Sequence, residues 1–141
     1  MVKYSLDTNI LIYSVDDTNS EKFLCASELL RSLAIKPVVL TLQSLAEFYC
    51  ATTRKKLLPH KTALEQIKDW TEIYPIVASH PHTLNLAVHA AHEHKVQFWD
   101  AMLWATAKEA GVTILFSEDF QHGQVMGGVR FCNPFLENNL L

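Results

Sequence analysis

The sequence predicts an α/β fold in which helices cover both faces of a central, mainly parallel sheet. Short, almost wholly apolar runs that suit buried strands alternate with longer segments whose apolar residues recur at helical spacing. Strands of a parallel sheet are apolar throughout because both faces are buried, and a helix commonly connects parallel neighbours. The length of 141 residues suits one domain, which we expect to cover residues 1–141.

Each element follows from this alternation. Gly111 is expected to end the helix that precedes the clearest strand. The helix over 41–54 is expected to turn Leu42, Leu45, Phe48 and Tyr49 inward. The predicted strands cover residues 2–6, 37–40, 112–116 and 128–131, and residues 74–77 are a short strand or a loop. The predicted helices cover residues 9–15, 21–34, 41–54, 59–73, 83–94 and 98–110.

Composition excludes several classes of protein. Apolar residues make up 49% of the chain and charged residues 19%, which allows a packed core and is unlike a disordered chain. The net charge of -3 excludes a strongly basic surface, so a nucleic-acid role needs a local site. Three cysteines without CxxC spacing indicate free core thiols. We expect a cytoplasmic protein, because the sequence has no apolar run of about 20 residues and no signal-peptide pattern.

Four acidic residues are expected to meet at one edge of the sheet. Asp7 directly follows the first strand, and Asp119 follows the strand over 112–116. Glu47 lies two turns into the helix after the second strand, and Asp100 lies in the first turn of a helix. Taken singly, each acid fits a cap, a loop residue or an exposed helix residue. Their shared position beyond the carboxyl ends of the strands favours a ligand site.

The surroundings of these acids point to a metal ion. Glu47 and Asp100 have apolar neighbours on both sides, so their carboxylates are expected to be partly buried. Clustered carboxylates repel one another unless they are protonated or neutralised, and a divalent cation neutralises them. Oxygen ligands without His or Cys favour Mg2+ or Mn2+ over zinc.

The motifs that contain these acids resemble the PIN-domain family, and within it the VapC-type toxins of prokaryotic toxin–antitoxin pairs. The resemblance spans nearly the whole chain and implies a three-layer α/β/α sandwich with a central, mainly parallel sheet of four or five strands. The motifs that carry it are Leu6-Asp7-Thr8-Asn9-Ile10, Gln43-Ser44-Leu45-Ala46-Glu47-Phe48, Phe98-Trp99-Asp100-Ala101, Leu115-Phe116-Ser117-Glu118-Asp119-Phe120 and Asn133-Pro134-Phe135.

The resemblance also implies a Mg2+- or Mn2+-dependent endoribonuclease that leaves a 5′-phosphate and a 3′-hydroxyl. Its implied partners are an RNA substrate, a cognate antitoxin protein and a second copy of the chain in a homodimer. Asn9 and Ser117 match polar positions that help to hold the family's metal site. Gln121 replaces an acid that many members carry, so the resemblance does not extend to a firmly held second ion. The four acids that surround the metal correspond here to Asp7, Glu47, Asp100 and Asp119.

Other functions remain open from the sequence. The chain fits an RNA-processing nuclease that is not a toxin, and it fits a non-catalytic module that binds RNA or protein. Its start is also similar to haloacid-dehalogenase-like phosphatases, but those need an Asp where Asn9 stands. A dinucleotide enzyme is excluded because no GxGxxG follows a strand.

Several further patterns have two readings each. Arg54-Lys55-Lys56 fits a phosphate contact or a solvated helix end. His89 and His92 share a helix face, but without HExxH they indicate surface residues rather than a zinc pair. Trp99 and Trp104 beside Asp100 fit base stacking or packing. The apolar positions that fit a homodimer, an antitoxin peptide or simple core burial are Phe23, Leu24, Leu29 and Leu30.

Overall fold

The computed structural model describes residues 1–136, which form helices around a mainly parallel sheet. The helices of this part of the chain are α1 (Thr8–Tyr13), α2 (Ser20–Ser32), α3 (Leu42–Arg54), α4 (His60–Ile73), α5 (Pro81–Glu93) and α6 (Phe98–Glu109). A 3-10 turn over Leu33–Ile35 follows α2. The strands are β1 (Tyr4–Leu6), β2 (Leu40–Thr41), β3 (Ile76–Val77), β4 (Ile114–Phe116), β5 (Val125–Met126) and β6 (Val129–Cys132).

The predicted mainly parallel sheet is confirmed. Within residues 1–136 the main sheet has the strand order β1-β4-β6-β5, and its β1–β4 and β4–β6 pairs are parallel. The strands β2 and β3 form a separate parallel pair. A parallel bridge between Tyr4 and Val38 connects the chain just before β2 to β1.

Alternation along the strands produces the three layers. Leu115 of β4 and Phe131 of β6 belong to the apolar cluster that α5 and α6 cover. Phe116, one residue further along β4, belongs to the cluster that α1, α2 and α3 cover. Successive side chains of a strand point to opposite faces, so both faces of the sheet are buried under helices. The three-layer α/β/α architecture predicted from the sequence follows from this arrangement.

Polar side chains fix where the helices begin. The Asn19 side chain accepts a hydrogen bond from the Lys22 amide at the start of α2, at 3.2 Å. The hydroxyl of Thr41 accepts from the Ser44 amide at the start of α3, at 3.0 Å. Each cap satisfies an amide that has no partner within the helix.

Three details differ from the prediction. The strand β5 was not predicted; it pairs antiparallel with β6, and the Trp104 Nε1 donates to the Met126 carbonyl at 2.9 Å. Leu42 was predicted to face inward, but its side chain is 55% exposed. Cys50 is exposed rather than a core thiol, although all three cysteines are free. None of the helices found in residues 1–136 combines the length and apolarity that a membrane span requires.

Candidate metal centre

The carboxyl ends of β1 and β4 lie side by side and bring the first two site residues together. Leu6 pairs with Phe116 in the parallel register. The amide of Asp7 donates to the Phe116 carbonyl at 2.8 Å, which extends the pairing by one residue. Asp7 and Ser117, which follow these strands directly, therefore lie next to each other at the sheet edge.

The carboxylate of Asp7 is buried and held at both oxygens. Its Oδ1 accepts from the Thr8 amide at 2.6 Å, and its Oδ2 accepts from the Ser117 hydroxyl at 2.7 Å. Only 6% of the residue is exposed. This burial raises the pKa of Asp7 to about 7, although both hydrogen bonds oppose the rise. The charges of Asp119 and Asp100 contribute to this rise in the pKa.

Asp119 is placed by the same serine and by Asn9. The amide of Asp119 donates to the Ser117 hydroxyl at 3.0 Å. The Asn9 side chain donates from Nδ2 to Oδ2 of Asp119, also at 3.0 Å. Burial and the neighbouring charge of Glu118 raise the pKa of Asp119, and the bond from Asn9 lowers it. Asn9 and Ser117 thus contact the acids that the sequence analysis expected them to support.

Asp100 completes a compact group of three acids. It lies in the first turn of α6, where its amide donates to Oε1 of Gln97 at 3.1 Å. One carboxylate oxygen from each of Asp7, Asp100 and Asp119 lies within 4.8 Å of the other two, and within residues 1–136 they form the only such group. The pKa of Asp100 is raised by burial first, and then by the charges of Asp119 and Glu47.

Glu47 lies beside this group and outside it. Its carboxylate is exposed, so the expected partial burial was wrong. Gln43 Nε2 donates to Oε1 of Glu47 at 2.8 Å and to the Trp99 carbonyl at 2.9 Å, which connects α3 to the start of α6. The spacing of four residues between Gln43 and Glu47 is the sequence signal for this side-chain pair.

Glu118 is engaged away from the three acids. It accepts from the Tyr13 hydroxyl at 2.8 Å and forms an ion pair with Lys22 Nζ at 2.7 Å. Lys22 also lies over the Tyr13 ring, with its Nζ 4.7 Å from the ring centroid. Glu118 therefore fastens α1 and α2 to the loop after β4.

The donor set fits a hard divalent cation. All three clustered ligands are carboxylates, which suits Mg2+ or Mn2+. The raised pKa values show that the pocket disfavours three negative charges in the absence of a cation. Asn9 Oδ1 and Thr8 Oγ1, next to Asp7 in sequence, are buried without a hydrogen-bond partner in the described residues. Such oxygens are suited to accept from water molecules around an ion.

The fold and this acidic site define an α/β domain with a candidate metal centre, and comparison with known proteins gives its family. A PIN domain model matches residues 4–126. The chain therefore belongs to the PIN domain family. No curated protein sequence matches the chain closely enough to count as a relative.

Several solved structures with the same fold are described as toxin or toxin–antitoxin proteins. One is VapC20 of Mycobacterium tuberculosis, described as a sarcin-ricin loop cleaving toxin; it is 16% identical with a TM-score of 0.67, covering 80% of this chain and 87% of that one. A toxin–antitoxin complex from Klebsiella pneumoniae is 19% identical with a TM-score of 0.67, and the match covers 94% of this chain and 98% of that one. VapBC2 of Rickettsia felis, bound to promoter DNA, is 14% identical with a TM-score of 0.67, and the match covers 93% of this chain and 97% of that one.

Proposed function

We propose that this chain is a Mg2+-dependent (or Mn2+-dependent) endoribonuclease and the toxin of a VapBC-type toxin–antitoxin pair. The observation that carries the proposal is the convergence of oxygens from Asp7, Asp100 and Asp119 within 4.8 Å. A structural role does not account for this cluster, because each carboxylate raises the free energy of the others in the folded protein. Membership of the PIN domain family supports a nuclease.

Each residue has a separate task in the proposed reaction. Asp7, Asp100 and Asp119 would hold the cation, with Glu47 adding negative charge at the open side. Ser117 and the Thr8 amide keep the Asp7 carboxylate in one orientation, and Asn9 does the same for Asp119. A bound Mg2+ would supply a Lewis acid that lowers the pKa of a coordinated water and offsets charge on the phosphodiester.

The bond changes are those of hydrolysis. The oxygen of a water molecule attacks the phosphorus, and its proton passes to a carboxylate of the site. Glu47 is suited to accept this proton, because it is exposed and lies outside the three-acid group. The bond between phosphorus and the 3′-oxygen breaks, and that oxygen takes up a proton. The products are a 5′-phosphate and a 3′-hydroxyl.

The toxin assignment and its partners rest on the structural neighbours. One neighbour is described as a cleaving toxin, and others are described as toxin–antitoxin complexes. We therefore propose a cognate antitoxin as the protein partner, a homodimer as the working state and the cytoplasm as the location. Of the apolar positions considered for an interface, Leu29 is buried in the core and Leu24 is 60% exposed. Leu24 is thus the most exposed of the four positions, since Phe23 and Leu30 are half-buried.

Cleavage is tested with purified protein and total RNA, followed by mapping of the new 5′ ends. We expect cuts that require Mg2+ or Mn2+, that disappear in EDTA, and that carry 5′-phosphates. Asp100→Asn should remove the cuts while leaving the far-ultraviolet circular dichroism spectrum unchanged. Full cleavage by Asp100→Asn would reject the assigned site, and RNA binding without cleavage would favour the non-catalytic module.

The toxin role needs a separate experiment. Induced expression of the wild-type chain should arrest growth, whereas expression of Asp100→Asn should not. Co-expression of the proposed cognate antitoxin should restore growth and form a stable complex. Cleavage in vitro with normal growth of the expressing cells would favour an RNA-processing nuclease.

A further inference from the structure

A groove leads away from the acidic centre between α3 and α6. Its first part is a cavity of about 460 Å³ that is lined by Glu47, Asp100, Gln43 and Trp99, among others. It continues along the same two helices to Met102 and Thr106 and reaches the segment after β3. Trp99 and Thr106 are seven residues apart on α6, so the groove extends for about 10 Å along the helix. That length suits two or three stacked nucleotides at about 3.4 Å each.

Trp99 lies at the boundary between this groove and the acidic centre. Its side chain is 57% exposed, whereas Trp70 and Trp104 are buried. Its carbonyl is held by Gln43 Nε2 at 2.9 Å. Its ring meets the ring of Phe98 edge to face, with 5.0 Å between centroids and 71° between planes. A large aromatic side chain is thus held in water beside the cluster, where burial does not explain it.

We propose that Trp99 is a substrate-binding residue that stacks on the base of a nucleotide next to the scissile phosphate. The following nucleotides would lie in the groove between α3 and α6. This inference rests on the proposed ribonuclease function, because it requires a phosphodiester at the three acids. Trp99 and Asp100 line the same cavity, so a strand whose phosphate reaches Asp100 brings an adjacent base within reach of the indole.

The lining of the groove favours a single RNA strand over a protein segment. Its polar groups include the neutral side chains of Gln43, Gln97 and Thr106, which can meet ribose hydroxyls and base edges. Its apolar part includes Met102 and the exposed Leu42, beside the indole. Bases stack on aromatic and apolar surfaces without requiring a particular sequence, so the net charge of -3 is no obstacle to local contact.

The test is a double-perturbation cycle in which the indole of Trp99 and the base of one nucleotide beside the cut are removed separately and then together. Trp99→Ala should lower kcat/KM for a short single-stranded RNA about 5- to 100-fold, mainly through KM, whereas Trp99→Phe should keep most of the activity. An abasic nucleotide at one position beside the cut should cost the wild type a similar factor. The two losses should not multiply when they are combined, because each removes the same contact.

Binding without cleavage gives a second readout. In an Asp100→Asn background with Mg2+, where cleavage is expected to be lost, the RNA should quench the tryptophan fluorescence, and adding Trp99→Ala should remove nearly all of that quenching. The control Ile73→Ala removes a side chain that is 65% exposed on α4, away from the groove, and should match its parent protein in both assays.

The outcomes separate this inference from the proposed function. Cleavage by the wild type, together with unchanged kinetics and unchanged quenching in Trp99→Ala, overturns the stacking contact alone. That result also covers the case in which Trp99 serves a protein partner. A combined loss equal to the product of the two single losses also overturns the stacking contact. A wild type that cuts no RNA under any metal condition overturns the proposed function itself.

Discussion

The hydroxyl of Ser117 donates to Oδ2 of Asp7 at 2.7 Å and accepts from the amide of Asp119 at 3.0 Å. One small side chain therefore sets the positions of two acids whose positions in the sequence are more than a hundred residues apart. The serine is fully buried, so water cannot replace either bond.

Ser117→Ala should weaken metal binding about 10- to 100-fold, because Asp7 loses the donor that orients it. The same change leaves the Asp119 amide without this acceptor, and we expect the free energy of unfolding to fall by about 1–3 kcal/mol. Isothermal titration with Mn2+ and urea unfolding measure the two effects.

Ser5→Ala is the matched control for this change. Ser5 is fully buried in β1 of the same sheet, and its hydroxyl has no hydrogen-bond partner within residues 1–136. Its removal should leave metal binding unchanged and leave stability equal or slightly higher. Equal losses of metal affinity in both variants would contradict the role assigned to Ser117.

The stability of the metal-free protein should fall as the pH rises. The pKa of Asp7 in the folded protein, about 7, lies above its ordinary value of 3.8, so the folded protein keeps a proton that the unfolded chain has lost. Stability from this group is therefore highest below about pH 4 and decreases until about pH 7. We expect a loss of about 3 kcal/mol between pH 5 and 8 in EDTA.

Asp7→Asn supplies the control for this pH dependence. The variant should be more stable than the wild type at pH 8, and its stability should change less between pH 5 and 8. The pKa values of Asp100 and Asp119 are also raised, so the stability of Asp7→Asn should still fall with pH, but less steeply than that of the wild type. Mg2+ should stabilise the wild type more at pH 8 than at pH 5. If urea unfolding gave the same change of unfolding free energy with pH in both proteins, Asp7 would not titrate in this range.

Two neighbouring acids should respond differently to the loss of charge. Asp119→Asn should abolish cleavage and weaken metal binding by at least tenfold, because it removes a ligand from the three-acid group. Glu118→Gln should keep metal binding and reduce stability by no more than about 1 kcal/mol, since its ion pair with Lys22 is partly exposed. Loss of metal binding in Glu118→Gln would place Glu118 in the metal site.

Glu47→Gln tests whether Glu47 binds the ion or acts beside it. The variant keeps an oxygen that can accept from Gln43, so α3 should hold its place. We expect Mn2+ affinity within about tenfold of the wild type and a larger loss in kcat, as fits a proton acceptor. A loss of affinity as large as that in Asp100→Asn would make Glu47 a direct ligand.

The turn between β5 and β6 should tolerate no side chain at Gly127. Its φ of +56° is unfavourable for other residues, and an added Cβ would lie 2.8 Å from Cζ2 of Trp104. Gly123 also has positive φ, but nothing lies within 4 Å of the position of its Cβ. Gly127→Ala should therefore lower the melting temperature more than Gly123→Ala, and the difference measures the clash.

Periodicity located the predicted helices to within about two residues, because each turns an apolar face to the sheet or to a neighbouring helix. The strand β5 escaped prediction because Val125–Met126 is too short for a pattern, and its hydrogen bond from Trp104 comes from a distant helix. Contacts of that kind leave no trace in the local sequence.

The acidic edge was predictable because parallel strands end together, which places Asp7 beside Ser117. The exposure of Glu47 was not predictable from its apolar neighbours, because Phe48 is buried on another face of the helix while Ala46 is exposed as Glu47 is. The position of the Glu118 side chain depends on its ion pair with Lys22, a partner 96 positions away in the chain. Side-chain direction and long-range pairing are therefore the features of the site that the sequence alone did not predict.

The neighbour of β1 in the sheet is β4, which follows it by more than a hundred residues. Asp7 therefore has no Ser117 and no Asp119 beside it until the segment after β4 has been translated. A polypeptide that stops before this segment therefore lacks the complete three-acid group. The order of strands makes the assembly of the candidate metal centre a late step in the synthesis of this domain.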